Sequence, residues 1–548
     1  VASAPPVSEL PQIIPSLDTT HLPETRRPMH FDINCAAPEP LENSTVFYSQ
    51  PSYEPVYPGF NYEFLLPELQ REEAPEDLEI VYKGVMSRQF PHLNIPFESA
   101  ASSLSLLAPD HQSRRDPTLL GASINKRLRF RPSESPVVAS TSDFLASQLL
   151  YHSYCDALHL DPSARVPFDP MLFVDCICEN EYAQLSSKTR SVIMANANRS
   201  DPDWRHTVVR IFSKTQHKVN ESSLFSGWKA CQTLALMHDA IILTFGPVKK
   251  YQRAILARQK TNPKIFVYAG RSPNDLSEFC QLNFPPNSYR CWNDFTSFDQ
   301  SQGCETTLFE TLKMKRVSIP IPIVDLHLQV KTSLSCQFGN LTSMRFTGEP
   351  GTYDDNTDYN MAIANLKYDI TSVGGLFSGD DSAFPVLPPA RPSWDATSKL
   401  FGNLRFKTET GRYATFCGYY VGSQGAVRAP RPLLVKLVNA LDDDTLRDKI
   451  ASYVAEFSVG HSLGDVLWDL LPLELVPYQS AVFDFICRHA PREMKTSLNI
   501  GEIPLDILSS LGLRLTRPIF ALLNRSQRMA YLKIHPSRFS SWSSSFLP

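Results

Sequence analysis

Hydrophobic and polar positions follow different patterns in successive parts of the chain. Residues 1 to about 60 are rich in proline, serine and acidic residues, which predicts an extended segment that wraps the body or a disordered arm. From about residue 115 the pattern becomes globular, and "STSDFLASQLLYHSYCDAL" has helical periodicity behind an N-cap-like serine. A long helical pattern covers residues 226–259. Residues 285–425 alternate short strands, glycine turns and two helical segments, whereas the pattern beyond about 430 is largely helical.

The length, charge and cysteine content restrict the classes of protein that fit. At 548 residues the chain is too long for one hydrophobic core, so we expect two to four packed units. A net charge of -4 shows no overall basic character, although it is compatible with a local basic channel for nucleic acid. The 11 cysteines are scattered without zinc-type spacing, which is typical of reduced thiols. No P-loop motif, G-x-x-x-x-G-K-S/T, is present, which argues against an NTPase or helicase.

The stretch "CWNDFTSFDQSQ", residues 291–302, sets two aspartates among aromatic residues. Asp294 and Asp299 have Phe295 and Phe298 between them. Aspartate is disfavoured in strands, and its burial costs free energy unless a partner offsets that cost. We therefore expect Asp294 to be buried at the end of a strand, with a bound metal offsetting its burial.

A second acidic pair occupies the middle of "GGLFSGDDSAFPV", residues 374–386. The apolar runs on both sides predict a strand, a tight turn and a second strand, with Gly379 supplying the turn geometry. Carboxylates on adjacent strands can hold two divalent cations, and Mg²⁺ takes one or two carboxylates together with water and substrate phosphate. Asp294, Asp380 and Asp381 are therefore the candidate metal ligands.

The segment "FTGEPGTYDDNTDYN" lies between these two acidic motifs. Gly348 and Gly351 predict a flexible loop, and a helix should start near Thr352. Three polar residues spaced four apart would share one face of that helix and could hydrogen-bond a ribose: Thr352, Asn356 and Asn360. We interpret Asp354 and Asp355 as acidic residues of the first helical turn, where negative charge is favoured. An ordinary polar helix start is an equal alternative for this segment alone.

In this order the motifs resemble the palm signature of viral RNA-dependent RNA polymerases. The signature reads Asp294-x4-Asp299, then Thr347-Gly348-x3-Thr352-x3-Asn356, then Ser378-Gly379-Asp380-Asp381. Around these motifs the sequence is most similar to the alphavirus-like supergroup. Within that supergroup it is most similar to the tymovirus and potexvirus replicases of the Tymovirales, and more to the tymoviruses than to the potexviruses. Pro350 stands where many relatives carry another residue. The resemblance covers roughly residues 120–440.

This resemblance implies an α+β right-hand polymerase with fingers, an antiparallel-sheet palm and a helical thumb, preceded by a Pro-rich N-terminal extension. We expect the extension at 1–110, the fingers at 111–285, the palm with its catalytic motifs at 286–430, and the helical thumb with a Ser-rich tail at 431–548. A basic segment at 205–230 would line the path of the incoming nucleotide. The implied function is RNA-directed RNA synthesis that replicates a positive-strand viral RNA genome by two-metal nucleotidyl transfer from NTPs.

The implied catalytic residues lie in the palm. By resemblance, Asp294 and Asp380 are the principal ligands of two Mg²⁺ ions, for which Mn²⁺ can substitute, and Asp381 assists. Lys407 would act as a general acid near the pyrophosphate leaving group. A surface lysine on a strand is an equal alternative for Lys407, and Lys399 is a competitor for the role.

The resemblance also implies residues that bind the nucleotide and the nucleic acid. Asp299, Thr352 and Asn356 would sense the 2′-hydroxyl of the incoming nucleotide, because carboxylate and amide groups can accept from and donate to it. Three lysines of the basic segment would neutralise the triphosphate, with a solvated basic loop as the alternative: Lys214, Lys218 and Lys229. Template and primer would be supported by the glycine loop and by the hairpin in "TFCGYYV": Gly348, Gly351, Phe416, Cys417 and Gly418.

The implied partners are viral template RNA, NTPs, and the methyltransferase and helicase portions of a viral replication polyprotein. No stretch reads as a signal peptide or a membrane span, so we expect the host cell cytoplasm, with membrane-associated viral replication complexes reached only indirectly through partners. One alternative is a non-catalytic polymerase-like scaffold that binds RNA, but such modules usually lose metal ligands and none is missing here. A reverse transcriptase is the other, but those enzymes carry a bulky residue where Asp299 stands.

Overall fold

The computed structural model describes residues 124, 127–186, 205–213, 232–336, 338–442 and 444–498. These residues form both helices and sheets, which confirms the predicted α+β class. The strands are β1 (Phe130–Arg131), β2 (Val208–Ser213), β3 (Thr233–Leu236), β4 (Ile265–Val267), β5 (Arg290–Phe295), β6 (Ser335–Cys336), β7 (Gly339–Leu341), β8 (Gly375–Ser378), β9 (Asp381–Phe384), β10 (Phe406–Gly411), β11 (Ala414–Phe416), β12 (Tyr419–Gly422) and β13 (Gly425–Arg428). The α-helices are α1 (Thr141–Ala157), α2 (Pro170–Ser186), α3 (Asp239–Ala257), α4 (Pro273–Asn283), α5 (Phe298–Ser301), α6 (Cys304–Arg316), α7 (Ile321–Ser333), α8 (Thr352–Lys367), α9 (Ile370–Val373), α10 (Trp394–Thr397), α11 (Pro430–Asp442), α12 (Leu446–His461), α13 (Val476–His489) and α14 (Arg492–Ser497).

A five-stranded sheet in the order β10-β5-β9-β8-β4 carries the two acidic motifs. Its pairings are antiparallel except at one edge, where β4 runs parallel to β8. Both faces of the sheet are covered, because Leu376 and Ala383 belong to one hydrophobic core while Phe377 and Phe384 belong to another. The strand ends are therefore where polar side chains of this sheet can reach solvent.

Helices α1, α6 and α8 cover one face of this sheet and share a hydrophobic core with it. The predicted N-cap of α1 is confirmed, since the Ser140 hydroxyl accepts a hydrogen bond from the backbone N–H of Asp143, and the Asp143 carboxylate accepts one from the N–H of Ser140. Such a capping box satisfies backbone donors that the helix itself cannot use. The predicted turn in the GDD motif is also confirmed, with Ser378 paired to Asp381 across it.

A second sheet has the order β1-β7-β6-β2-β3. Its strands β6 and β7 lie within the range predicted for the palm, but they pair with each other and with β1 and β2 from the range predicted for the fingers. The prediction of one long helix over 226–259 is wrong in its first half, because residues 233–236 form β3 and α3 begins only at Asp239. In β3, Thr233 and Ala235 are buried while Leu234 and Leu236 are half-buried, which is the two-residue period of a strand.

The predicted helical character beyond residue 430 is confirmed as far as residue 498. Helices α11, α12 and α13 pack around a separate core whose centre includes Leu433, Leu437 and Val482. The proposed extension at 1–110 and the Ser-rich tail lie outside the described residues, and the division into fingers, palm and thumb stays a prediction. Within the described ranges, no helix is long and apolar enough to cross a membrane.

Candidate active site

The central sheet brings the predicted metal ligands to one end. Strands β5 and β9 pair up to Asn293 and Ser382, so Asp294 and Asp381 are the next residues on the two strands. Asp380 occupies the two-residue turn beside them, and Gly379 has φ 60°, a conformation that glycine adopts without strain. Three carboxylates from two distant parts of the chain therefore share this end of the sheet.

The predicted burial of Asp294 is wrong. Asp294, Asp380 and Asp381 are all exposed, whereas the preceding residue on β5, Asn293, is buried at 4% exposure. The cause is the alternation of side chains at the end of a strand, which turns Asn293 inward and Asp294 towards solvent. Asp294 therefore carries no burial cost for a metal to offset, and its carboxylate is accessible to a ligand.

Lys407 lies directly opposite Asp294 in the pairing of β10 with β5. Its side chain is exposed and forms an ion pair with Glu409. The hydrogen bond to Glu409 raises the pKa of Lys407, and Asp294 adds a smaller contribution in the same direction. Lys407 is thus a protonated amine beside the candidate metal ligands. The competitor Lys399 lies in the short 3₁₀ helix Ser398–Phe401, outside this strand pair.

The hairpin between β11 and β12 contacts the turn between β8 and β9 that contains Asp380 and leads into Asp381, which we call the acidic turn. The backbone N–H of Cys417 donates to Oδ2 of Asp381 at 3.2 Å. Cys417 and Gly418 form the tip with φ values of 50° and 76°, and Phe416 is buried beneath them. Burial raises the pKa of the Cys417 thiol, and the Asp381 carboxylate raises it further, so the thiol stays protonated. The predicted hairpin is therefore in contact with the candidate metal site.

Asp299 and Asn356 are hydrogen-bonded, as the resemblance implied. Nδ2 of Asn356 donates to Oδ1 of Asp299 at 2.8 Å, and the Thr347 hydroxyl donates to Oδ2 of Asp299 at 2.7 Å. All three residues, together with Asp380, line a cavity of about 770 Å³. The polar pair and one candidate metal ligand therefore border the same space.

The hydroxyl of Thr352 does not bond Asp299, and its predicted role towards the ribose stays a prediction. It donates instead to the carbonyls of Phe346 and Glu349, each at 2.8 Å, and so closes the loop that precedes α8. Thr347 is the residue that sequence reasoning missed. It stands next to Gly348 in the motif, but no helical spacing connects it with Asp299, so no pattern indicated the contact.

The loop glycines are required by their surroundings. Gly348 and Gly351 have φ values of 109° and 82°, which other residues rarely adopt. A Cβ on Gly348 would lie 2.5 Å from the carbonyl oxygen of Ala235, and one on Gly351 would lie 2.6 Å from the Lys249 side chain. The loop is packed closely against neighbouring residues, and its predicted flexibility stays a prediction. Its contact with template stays a prediction.

Helix α8 holds the acidic turn through side-chain hydrogen bonds. Nδ2 of Asn360 donates to the carbonyls of Gly379 and Asp381, each at 3.1 Å, and the Thr357 hydroxyl accepts from the N–H of Gly379 at 2.8 Å. Asn360 thus shares the predicted face with Asn356 but bonds the turn. One helix therefore holds both the acidic turn and the partner of Asp299.

Asp355 has a larger role than the first-turn interpretation gave it. Its carboxylate is 2% exposed, forms an ion pair with Lys249 at 2.7 Å and accepts a hydrogen bond from Lys313 at 2.9 Å. Burial alone would raise the pKa of Asp355, but Lys249 and Lys313 outweigh it and lower the pKa to about 2. The buried cluster continues through Arg345, which is ion-paired with Glu310 and Glu349. We call these charged residues the ion cluster: Lys249, Glu310, Lys313, Arg345, Glu349 and Asp355.

Basic residues also line the cavity, and five of them belong to the described part of the chain: Arg127, Lys249, Lys250, Arg253 and Arg345. Arg253 holds both oxygens of Asp354, at 2.7 and 2.8 Å, and Lys250 pairs with Glu179 at 2.7 Å. Sequence reasoning missed Lys249 and Arg253, although their four-residue spacing places them on one face of α3. The predicted triphosphate-binding residues Lys214, Lys218 and Lys229 lie outside the described residues.

Comparison with known proteins identifies the family. A family model described as RNA dependent RNA polymerase matches residues 176–459. The chain is 52% identical over 518 residues to the non-structural replication polyprotein of Grapevine fleck virus (isolate Italy/MT48), covering 94% of this chain and 26% of that protein. It is 49% identical over 495 residues to the non-structural replication polyprotein of Turnip yellow mosaic virus, covering 90% of this chain and 27% of that protein.

A more distant relative by sequence is also a viral replication protein. The RNA replication protein of Strawberry mild yellow edge-associated virus is 30% identical over 383 residues, covering 69% of this chain and 29% of that protein. The solved insertion loop deletion mutant of a human picobirnavirus RNA-dependent RNA polymerase has a TM-score of 0.37 at 13% identity, covering 71% of this chain and 82% of that chain. This likeness is too low to support an argument.

The chain spans only about a quarter of the polyproteins it matches. It belongs to the family of viral RNA-dependent RNA polymerases, which are nucleotidyltransferases, and its relatives are tymovirus-like replicases.

Proposed function

We propose that this polymerase copies a positive-strand viral RNA genome by two-metal nucleotidyl transfer from NTPs. One observation carries the proposal. Asp294 from β5 and Asp380 and Asp381 from the β8–β9 turn lie at the same end of one sheet, and Asp380 also lines the cavity that contains the Asp299–Asn356 pair. A nucleotide in that cavity would have its ribose beside the pair and its phosphates near the carboxylates.

Mg²⁺ fits the donors that this end of the sheet offers. Within the described ranges, no three His, Cys, Asp or Glu side chains already converge on a metal position. Mg²⁺ binds one or two carboxylates and completes its shell with water and substrate phosphates. Asp294 and Asp380 would hold two ions, with Asp381 assisting and Mn²⁺ able to substitute. When bound, the ions would activate the attacking hydroxyl and stabilise the leaving oxygen.

The Asp299–Asn356 pair would select ribose over deoxyribose. Each carboxylate oxygen of Asp299 can accept more than one hydrogen bond, and the Asn356 amide carries a second N–H. A 2′-hydroxyl can both donate to the carboxylate and accept from the amide. A deoxyribose leaves these polar groups unpaired, and a site built to bond a hydroxyl discriminates strongly against a substrate without one.

Lys407 would supply a proton to the pyrophosphate leaving group. It lies opposite Asp294 in the sheet, and its raised pKa keeps it protonated at neutral pH. A positioned acid of this kind typically contributes about 100- to 10,000-fold to a rate. The hairpin tip at Phe416, Cys417 and Gly418 would support the 3′ end of the primer, since it contacts Asp381.

The remaining roles rest on resemblance and position. The loop containing Gly348 and Gly351 lines the cavity and would contact template. Lys214, Lys218 and Lys229 would neutralise the triphosphate, alongside the cavity residues Lys250 and Arg253. Because the matched relatives are replication polyproteins several times longer, the chain would act beside other viral portions such as the methyltransferase and helicase. We place it in the host cytoplasm, at membrane-associated replication complexes reached through those partners.

Incorporation of labelled nucleotides by the full chain on an RNA template tests this function. With Mg²⁺, the wild type should incorporate NTPs in preference to dNTPs, and chelation of Mg²⁺ should stop incorporation. Asp380→Ala should reduce the rate on the order of 1000-fold, since a bound metal supplies several kcal/mol of transition-state stabilisation. Asp395→Ala, an exposed aspartate on the short helix α10, is the matched control and should keep the wild-type rate.

Three outcomes would contradict the proposal. RNA binding without incorporation by the wild type would favour the scaffold alternative. Preference for dNTPs would favour a reverse transcriptase. Incorporation by Asp380→Ala at the wild-type rate would exclude the acidic turn from the chemistry.

A further inference from the structure

Gln302 ends the stretch "CWNDFTSFDQSQ" and is completely buried behind the Asp299–Asn356 pair, at 0% exposure. Its Nε2 donates to Oδ1 of Asn356 at 2.7 Å, and its Oε1 accepts from Nε of Arg345 at 3.4 Å. Its backbone carbonyl accepts from the Arg129 guanidinium. Both ends of the Gln302 amide are therefore hydrogen-bonded, the nitrogen to the Asp299–Asn356 pair and the oxygen to the ion cluster.

The direction of this hydrogen-bond chain is fixed by the chemistry of its two ends. Arginine can only donate, and an ionised aspartate can only accept. Starting from Arg345, Gln302 must accept through its oxygen and donate through its nitrogen. Asn356 must then accept through Oδ1, which leaves its nitrogen to donate to Asp299. Of the two orientations that each amide can take, only one satisfies the whole chain.

Burial removes the alternative of water as a partner. Gln302, Arg345 and Asn356 are 0%, 2% and 7% exposed. Arg345 is itself held by Glu310 and Glu349, and its backbone N–H donates to the carbonyl of Asp299 at 3.2 Å. The chain is thus anchored in a rigid charged cluster at one end and borders the cavity at the other.

We propose that Gln302, held by Arg345, is a positioning residue that sets the orientation of the Asn356 amide and thereby the ribose selectivity of the site. The inference rests on the proposed role of Asp299 and Asn356 as the ribose pair. Without the donor from Gln302, the Asn356 amide loses one of the two hydrogen bonds that fix its orientation and keeps the bond from Nδ2 to Asp299. Oδ1 of Asn356 is then buried without that donor, and an amide that turns to find another sets Oδ1 against the Asp299 carboxylate, where two acceptors repel each other.

The test compares nucleotide selectivity in variants of the full chain. The ratio of kcat/KM for an NTP to kcat/KM for the matching dNTP is measured on one RNA template for wild type, Gln302→Met, Asn356→Ala and Asp299→Ala. Gln302→Met keeps the length of the side chain but removes both amide groups. We expect the ratio to fall roughly 10- to 100-fold, the range for losing one buried hydrogen bond, mainly through the NTP. Gln479→Met, a buried glutamine on α13, is the matched control and should keep the wild-type ratio.

A double variant distinguishes a Gln302 that acts by positioning Asn356 from a Gln302 that contributes to selectivity independently. If Gln302 acts only through Asn356, Gln302→Met combined with Asn356→Ala should have the same ratio as Asn356→Ala alone. Gln302→Glu gives a second reading that does not depend on the folding of Gln302→Met. Its carboxylate can accept from Arg345 but cannot donate to Asn356, so the ratio should fall in the same way.

Two results would overturn the inference, and they differ in what else they overturn. Equal losses for NTP and dNTP in Gln302→Met, or a wild-type ratio in Gln302→Glu, while Asp299→Ala loses selectivity, would limit Gln302 to a structural role. A wild-type ratio in Asp299→Ala would overturn the ribose pair itself, and this inference with it.

Discussion

Thr347 and Thr352 stand on either side of one glycine loop and bond different partners. The Thr347 hydroxyl donates to the Asp299 carboxylate and accepts from Nε2 of Gln232 at 2.9 Å. The Thr352 hydroxyl bonds two carbonyls of its own loop. At the scale of single residues, Thr347 therefore belongs to the group that orients Asp299, whereas Thr352 holds the start of α8.

Valine at these two positions removes the hydroxyl with little change in volume, and the outcomes should differ. Thr347→Val should lower the NTP over dNTP selectivity about tenfold, because one of the two donors that orient Asp299 is lost. Thr352→Val should keep the wild-type selectivity and lower the free energy of unfolding by about 1 kcal/mol, the value of one hydrogen bond. Single-nucleotide kinetics and chemical denaturation measure the two effects.

The two variants are controls for each other. Loss of selectivity in Thr352→Val with none in Thr347→Val would reverse the assignment and support the prediction made from helical spacing alone.

Helix α8 connects the Asp299–Asn356 pair, the acidic turn and the ion cluster. Asn356 bonds Asp299, Thr357 and Asn360 bond the acidic turn, and Asp355 joins the ion cluster. Through Asp355 the helix is tied to Lys249 on α3 and to Lys313 on α6. The position of the acidic turn relative to the ribose pair is therefore set by one rigid element and its buried charges.

Neighbouring aspartates on α8 should respond very differently to neutralisation. Asp355→Asn should lower the free energy of unfolding by about 3–5 kcal/mol, since it leaves Lys249 and Lys313 buried without their common partner. Asp354→Asn should lower it by less than about 1 kcal/mol, because the pair with Arg253 is on the surface. Denaturation of both variants under one set of conditions measures the difference, and equal losses would contradict the burial argument.

The Asp355 carboxylate should also make the free energy of unfolding depend on pH in the acid range. The folded-state pKa of Asp355, about 2, lies below its usual value near 3.9. Its stabilising contribution is therefore present above about pH 4 and is lost as the pH falls through the folded pKa towards 2. Asp355→Asn should lack this part of the pH dependence of unfolding, whereas Asp354→Asn should retain it.

At the scale of the whole molecule, the described residues form the mixed helix-and-sheet fold that the sequence predicted. The cavity is lined by Lys249 and Arg253 of α3, by Asp299, by the loop before α8, and by Asp380 of the acidic turn. These parts are far apart along the chain and meet only in the folded state. The site therefore depends on how elements from separate parts of the chain pack together.

The sequence predicted the elements better than the contacts between them. The ordered motifs located Asp294, Asp380 and the Asp299–Asn356 pair, because each motif lies within one strand, turn or helix start with a recognisable pattern. The bond from Thr347 and the burial of Asp355 depend on which elements pack together. No local period records that information. Gln302 shows the same limit, since its proposed role follows from Arg345, which lies in the loop between β7 and α8.

The central claim is that carboxylates from two separate strands act as one catalytic site. Single-nucleotide incorporation by the full chain, with RNA template and Mg²⁺, tests it through Asp294→Asn, Asp380→Asn and the double variant. Groups that act as a unit give non-additive losses, so the double variant should be no slower than the slower single variant. Each single variant should lose on the order of 1000-fold in rate. Asp395→Asn should keep the wild-type rate. Losses that multiply in the double variant, or a wild-type rate in either single variant, would contradict the account.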